Sequence, residues 1–265
     1  MLTQIAGESQ LTLAAIQAVV VTVLGLAVTL LARGCAIRLE REVALAMGRG
    51  LVQIVIVGSV LVLLLSGPNW TSAIVLAGMI FIAARIASRR AQGLPDAFRV
   101  SLYGIALGGG SVIVLMTWLG VIEGSLTALI PVGSMLIANA MNSNALALER
   151  FQAEIESHVG HIETALALGA EPNAAIAPYV QAAVRASLIP RIDSISSLGI
   201  VWIPGVMTGL VLAGSDPIYA AIYQFVIMGM IFASSSLTSL VSTLLIRTRV
   251  ISSADQLIAP TIATS

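Results

Sequence analysis

The chain contains no lysine; all 13 of its basic residues are arginine. A P-loop needs a lysine on the nucleotide phosphates, so this polypeptide is not a P-loop ATPase, and any ATP-driven work requires a second chain. One cysteine, Cys35, excludes an internal disulfide. Charge of either sign is scarce, at 10% of 265 residues, where a soluble domain carries about 25%. Aromatic residues make up 5%, and no long segment alternates strictly between apolar and polar, which excludes a transmembrane β-barrel. Nothing in this charge pattern suggests a nucleic-acid partner.

What is present is hydrocarbon. The chain is 58% hydrophobic, with a mean hydropathy of +1.00. Several charge-free windows reach the roughly 18–20 residues that cross about 30 Å of lipid. The fold class is all-α, a polytopic helical membrane protein in contact with lipid. The first apolar stretch lacks a small-residue cleavage site and is followed by others, so it reads as a span and not as a removable signal. Seven transmembrane helices are expected at about 11–32, 49–66, 72–88, 99–119, 126–146, 195–213 and 218–246. They form one membrane domain over 1–250, followed by a loosely ordered tail, 251–265.

The arginines sort by connection. Arg33, Arg38, Arg41 and Arg49 lie between spans one and two, and Arg85, Arg89, Arg90 and Arg99 between three and four. Arg150, Arg185 and Arg191 lie between five and six, and Arg247 and Arg249 follow span seven. The alternate connections, "SGPNWTS", "GVIEGS" and "AGSDPI", hold none. The positive-inside rule puts the arginine side in the cytoplasm, with the N-terminus out and the C-terminus in. Glu8, Glu123 and Asp216 are then the outer charges.

The longest cytoplasmic connection, about 147–194, carries its own helical pattern. Phe151, Ile155, Val159 and Ile162 form one stripe, with Glu149, Glu154, Glu156 and His158 on other faces. Span five can therefore continue outward as one long helix. Gly169 supplies a stop, and Pro172 suits the first turn of a returning helix over about 172–188, bent at Pro178. The result is a cytoplasmic helical elbow, a shape that an external motor subunit can grip.

"ETALALGA" within this elbow resembles the Glu-Ala-Ala…Gly loop by which ABC-transporter permeases dock into their ATPase subunits. Glu163, Ala165 and Gly169 fall at the matching places, beside Ala170 and Pro172. The "LIP" of Leu188–Pro190 comes later than in the importer loop. "RGLVQ" (49–53), "IPVGSMLIANAMN" (130–142) and "IPGVMTGLVLAGSDPIYAAIYQFVIM" (203–228) extend the likeness to the bacterial FetB-like permease family, the membrane half of an iron-exporting ABC transporter. Leu210 departs from the glutamine that the family favours after "MTG". The resemblance implies a non-catalytic permease subunit in the bacterial inner membrane. It implies a homodimer paired with two ATPase chains, ATP and Mg on the partner, and iron or another metal as cargo. Plant relatives implicated in moving UDP-glucose keep a nucleotide sugar or another polar metabolite open as the cargo.

Polar groups inside spans are the candidate site, because burying them in lipid is costly. Met135, Asn139 and Asn142 share a face of span five. Gln53, Met207, Thr208, Gln224, Met228 and Met230 lie in other spans. Together they read as a polar, thioether-lined path, or as interhelical hydrogen bonding with methionine filling gaps. "GGG" at 108–110, Gly205 and Gly209 permit close helix approach or a hinge. Glu154, His158 and His161 share a helical face but lack a second ligand helix, so no stable metal centre is expected. Glu123 and Asp216 could meet an emerging cation or simply be solvated. Arg38, Arg41, Arg89 and Arg90 set topology and can meet acidic headgroups. "GGGSV" lacks the context of an intramembrane serine protease. An ion-coupled transporter would need carboxylates in mid-span, and the predicted span centres have none; a membrane scaffold remains a third class.

Overall fold

The computed structural model describes residues 10–34, 40–65, 67–68, 70–252 and 256–258. Glu8, Cys35, Arg38 and most of the tail lie outside the described residues. Six helices among the described residues are long and apolar enough to cross a membrane, and none of these residues forms a named strand. The chain divides into two compact units, 1–67 and 68–265.

The first unit holds α1 (Gln10–Arg33) and α2 (Glu40–Leu65). They pack with Gly25 against Met47, and Arg33 Nη1 lies 3.5 Å from Glu40 Oε1. The apolar pattern placed the start of α2 at residue 49, but the helix begins at Glu40. Glu40 and Glu42 favour the positive helix start, and "EVALAM" is rich in strong helix formers. A hydropathy pattern marks where lipid begins, not where the helix does.

The second unit is built on α3 (Thr71–Ser88), α4 (Ala97–Ile105), a π-helical turn (Ala106–Gly110) and α5 (Ser111–Trp118). The last three form one crossing, with a single turn widened at the glycine triplet. Gly120, at φ +73°, turns the chain toward α6 (Leu126–Ser157). At 1.5 Å per residue, the 32 residues of α6 span about 48 Å, well beyond the ~30 Å of hydrocarbon. Its C-terminal third therefore projects, as the stripe at 151–155 predicts. The helix breaks at His158 (φ −123°) and restarts as α7 (Val159–Ala167). The chain then returns along α8 (Pro172–Ser196).

The expected continuous span over 195–213 needs correcting. Helix α8 ends at Ser196, a turn follows, and only α9 (Gly205–Leu212) is helical thereafter. Gly199 sits at φ +76°, and its N–H donates to the Trp202 carbonyl at 3.1 Å. The Trp202 indole folds back onto the Ser194 carbonyl at 3.4 Å. Pro204 then opens α9 from an extended conformation. The apolar composition of "LGIVWIPG" hides these two helix breakers. Gly214 (φ +93°) and Asp216, whose carboxylate accepts from the Ile218 and Tyr219 amides at 2.9 and 3.0 Å, start α10 (Pro217–Arg247).

Helices α6 and α10 run parallel. The Ser234 hydroxyl donates to the Leu136 carbonyl at 3.5 Å, and twelve residues further along each helix Leu148 and Ile246 share a core. Helix α8 is antiparallel to both: Ser187 donates to Ser239 at 2.9 Å, and Arg191 faces Ser143. The broken α8–α9 segment thus carries the chain from the far end of α6 back to the start of α10.

Two cores hold this unit. One joins Leu76, Ile105, Leu136, Ile137, Ile227 and Ile231 in the helix bundle. The other joins Leu94, Val100, Phe151, Ile155, Ile162, Ile176, Val180 and Ile246 at the projecting end. The tail was expected to be loose, yet Ile251 pairs with Leu257, and both pack on this second core. Arg89, Arg90 and Arg249 belong to the connections gathered there, Arg99 and Arg247 to helix ends, and Arg150 and Arg185 to the stretches of α6 and α8 beside this core. Arg249 Nη1 lies 2.8 Å from Asp96 Oδ2, tying two of these connections together.

Candidate functional site

A cavity of about 230 Å³ opens where α6, α8, α9 and α10 meet. Met135 and Asn139 reach it from α6, Gln224 and Met228 from α10, and Arg191 and Ser194 from α8. These elements converge because α6 and α10 run in register while the break at Gly199–Pro204 withdraws α8 from the seam. Of the residues singled out in the sequence, the structure brings together Met135, Asn139, Gly205, Gln224 and Met228. Asn142, one turn further along α6, is exposed. Met207 and Thr208 lie on α9 but do not line the cavity, and Gln53 lies exposed on α2 in the other unit.

The polar groups of the cavity are incompletely satisfied. Asn139 donates Nδ2 to the Met135 carbonyl at 2.8 Å, which leaves its own carbonyl oxygen available. Gln224 is only 3% exposed, and its Oε1 has no partner. Such a buried acceptor costs about 1–3 kcal/mol if left unmade. Arg191 was assigned to the cytoplasmic loop; instead it is half-buried at the level of Ser143, its Nε 3.5 Å from the Ser143 hydroxyl. The antiparallel return of α8 draws it down beside α6, a placement that no hydropathy window reveals.

A second polar feature went unread in the sequence. Ser234, Ser235, Thr238, Ser239, Ser242 and Thr243 on α10 are all fully buried. A side chain on Gly108 would fall on Thr238, and one on Gly104 on Ser242, so the glycines act here as packing surfaces. Asn144 is also fully buried, with neither amide atom paired. The α6–α10 register puts it level with Ser242. The recurrence of Ser and Thr every three or four residues within an apolar helix was the available signal.

The elbow has a defined geometry. Gly169 stands at φ +85°, its N–H donating to Leu166 and that of Ala170 to Ala165, each at 3.0 Å. This is the paired C-terminal closure that glycine makes available. Pro172 opens α8 in the first-turn position. Glu163 is exposed, Ala165, Ala170 and Pro172 are partly exposed, and Leu168 at the tip is 84% exposed. Ile162 and Ile176 anchor the elbow from beneath. His158 stacks on Tyr179 at 4.8 Å and lies 3.6 Å from Glu154. No group of three His, Cys, Asp or Glu side chains among the described residues is placed to hold a metal ion.

Comparison with known proteins agrees with this architecture. The chain is 38% identical over 229 residues to the UPF0014 membrane protein slr1647 of Synechocystis sp., covering 83% of this chain and 86% of that protein. It is 32% identical over 221 residues to the "Probable iron export permease protein FetB" of Escherichia coli, covering 83% and 85%. It is 32% identical over 209 residues to "Protein ALUMINUM SENSITIVE 3" of Arabidopsis thaliana, covering 78% and 76%. No solved structure matches. The family model described as "Uncharacterised protein family (UPF0014)" matches residues 15–251, and the chain therefore belongs to this family of multi-pass membrane proteins.

Proposed function

We propose that the chain is the permease subunit of an ATP-driven exporter, hydrolysis being done by a separate ATPase chain, and that its cargo is iron or another metal. One observation carries the coupling half of this reading. Helices α6 and α8 both line the cavity and both lead into the elbow, so a push on the elbow moves the cavity walls as levers. Glu163, Ala165, Gly169, Ala170 and Pro172 are the docking face for the ATPase. Met135, Asn139 and Gln224 line the path, and Asn142, Met207 and Thr208 lie beside it on α6 and α9; Gln53 is a polar group of the first unit's α2. The likeness to the Escherichia coli protein supports iron as the cargo.

The setting is the bacterial inner membrane. By the positive-inside rule the arginine-bearing end is cytoplasmic, so the N-terminus is out and the C-terminus in. Two permease copies pair with two ATPases. Exposed Ile200, Val201, Ile203 and Leu212 supply an apolar surface that supports pairing. ATP and Mg belong to the partner chain. A polar metabolite remains the second reading for the cargo, favoured by Arg191 in the cavity. An ion-coupled mechanism is disfavoured, since no carboxylate lines the cavity.

Co-purification with candidate ABC ATPases, followed by ATP hydrolysis in lipid with and without iron, tests the proposal. Wild-type protein and a Glu163→Ala variant are compared. The expected result is a stable complex whose hydrolysis responds to cargo and weakens in the variant. A permease that captures no ATPase under conditions where its fold is intact refutes the proposal.

A further inference from the structure

Polar side chains buried without partners in an apolar bundle call for an explanation, and one group of them lies outside the cavity. Ser101 on α4, Asn144 on α6, and Ser235, Thr238 and Ser242 on α10 are each 0% exposed. The four hydroxyls and both amide atoms of Asn144 have no hydrogen-bond partner among the described residues. Native interiors leave few such groups; here five residues with them share one seam.

The seam lies where α4, α6 and α10 pack on one another in every pairing. Ala140 Cβ and Ser234 Oγ each stand 3.4 Å from the position of a Cβ on Gly109, so α6 and α10 meet over the π turn. Asn144 follows Ala140 by one turn on the same face of α6. Gly104 backs directly onto Ser242, and Ser101 lies one turn from Gly104 along α4. Ser101, Asn144 and Ser242 therefore occupy nearly one level. The seam also adjoins the cavity. Gln224, Met228 and Ile231 belong to the cavity lining, and Ser235, Thr238 and Ser242 continue their three- and four-residue spacing along α10 toward the arginine-bearing end. None of the buried polar residues described is charged. The contact itself is glycine against hydroxyl: a Cβ on Gly104 or Gly108 would fall on α10, and no large side chain interlocks there. Parting an apolar contact exposes hydrocarbon, but parting this one gives unpaired hydroxyls and an amide the water they lack. The π turn at Ala106–Gly110 interrupts the regular helix between α4 and α5 and supplies a joint for such a movement.

We infer that this seam is the inner gate of the cavity. It is closed here, and it opens as a water-filled passage between α4, α6 and α10, lined by Ser101, Asn144, Thr238 and Ser242. Neutral hydroxyls and an amide suit a hydrated solute in transit, with no fixed charge to hold it back. The use of the gate rests on the exporter reading above: cargo enters the cavity through it from the arginine-bearing end.

The test uses full-length protein in nanodiscs, in a Cys35→Ser background, with a water-soluble methanethiosulfonate as the probe. Ser101→Cys and Ser242→Cys exchange one small side chain for another and report on the seam. Ala84→Cys is the control: Ala84 is also 0% exposed and lies about a turn from the arginine-bearing end of α3, but in the apolar core. Modification of a buried thiol follows the population of the open form, and both seam cysteines should react at least about tenfold faster than the control. Equal rates at all three positions overturn the inference. A second measurement locks the gate. The Cβ position of Gly104 is 3.1 Å from Ser242 Cβ, a few tenths of an ångström short of the about 3.5–4.5 Å between the Cβ atoms of a disulfide. Oxidation of a Gly104→Cys/Ser242→Cys pair, in the complex with its ATPase, should stop ATP-driven iron efflux, and reduction should restore it. Full efflux by the cross-linked protein overturns the gate and keeps the exporter. Fast modification of the seam cysteines that no ATPase alters keeps the gate and removes the exporter. The labelling comparison decides the inference by itself if the paired variant is inactive in both forms.

Discussion

Replacing Gly169 by alanine separates backbone geometry from steric bulk at the elbow. A Cβ built there meets nothing within 4 Å, so the substitution adds no clash. What it adds is a side chain at φ +85°. An L-residue in the left-handed region costs about 1–2 kcal/mol, and about 1.4 kcal/mol is a factor of ten in an equilibrium. The two closing bonds, Gly169 to Leu166 and Ala170 to Ala165, depend on that geometry. We predict that their opening equilibrium rises by roughly 5–30-fold, the span of that energy range. Hydrogen exchange of the protein in nanodiscs reads this in peptides covering 162–176, while peptides from α6 and α10 in the bundle should not change. Gly160→Ala is the paired control: it too meets nothing within 4 Å, but it sits in the first turn of helix α7, where alanine is favoured over glycine by less than the ~1 kcal/mol of a helix interior. It should slow exchange while Gly169→Ala speeds it. Coupled hydrolysis by the ATPase should fall only in the Gly169 variant. Unchanged exchange in Gly169→Ala, or a loss of protection spread equally into the bundle, would show that the turn does not organise the elbow.

Three further outcomes are expected. Gly108→Ala, whose side chain would fall on Thr238, should lower stability by the ~1–3 kcal/mol of overpacking, whereas Gly110→Ala, with its nearest contact at 3.7 Å, should be tolerated; equal melting temperatures would contradict the packing role. Asn139→Leu should abolish cargo-stimulated ATP hydrolysis in a protein that still assembles with its ATPase, and normal stimulation by a stable variant removes Asn139 from the path. In a Cys35→Ser background, cysteine at Asp216 should be labelled from outside the cell and cysteine at exposed Gln92 only after permeabilisation, and the reverse pattern overturns the orientation.

The one-dimensional pattern of apolar runs, arginines and helix breakers determines most of the architecture. Lipid admits only closed hydrogen-bonded segments, so an uncharged run of sufficient length has one available structure. The ends of α3 and α10 accordingly fall within a residue of their apolar limits. Gly169 and Pro172 were legible for the same local reason: the left-handed turn and the proline first turn are properties of single residues. Met135, Asn139 and Gln224 stood out because a polar side chain in hydrocarbon has few acceptable fates.

The tertiary structure decided which of these groups meet. The sequence marks Arg191 as a basic residue near a span and no more; only the antiparallel register of α8 against α6 brings it level with Ser143 and into the cavity. The break at Gly199 and Pro204 was written in the sequence but outweighed by its apolar neighbours, because hydropathy sums composition while helix continuity depends on individual φ angles and amides. The burial of Ser234–Thr243 depends on which face of α10 meets Gly104 and Gly108. That choice belongs to long-range packing, where contacts between residues more than a hundred positions apart fix the rotation of a helix that its own sequence leaves free.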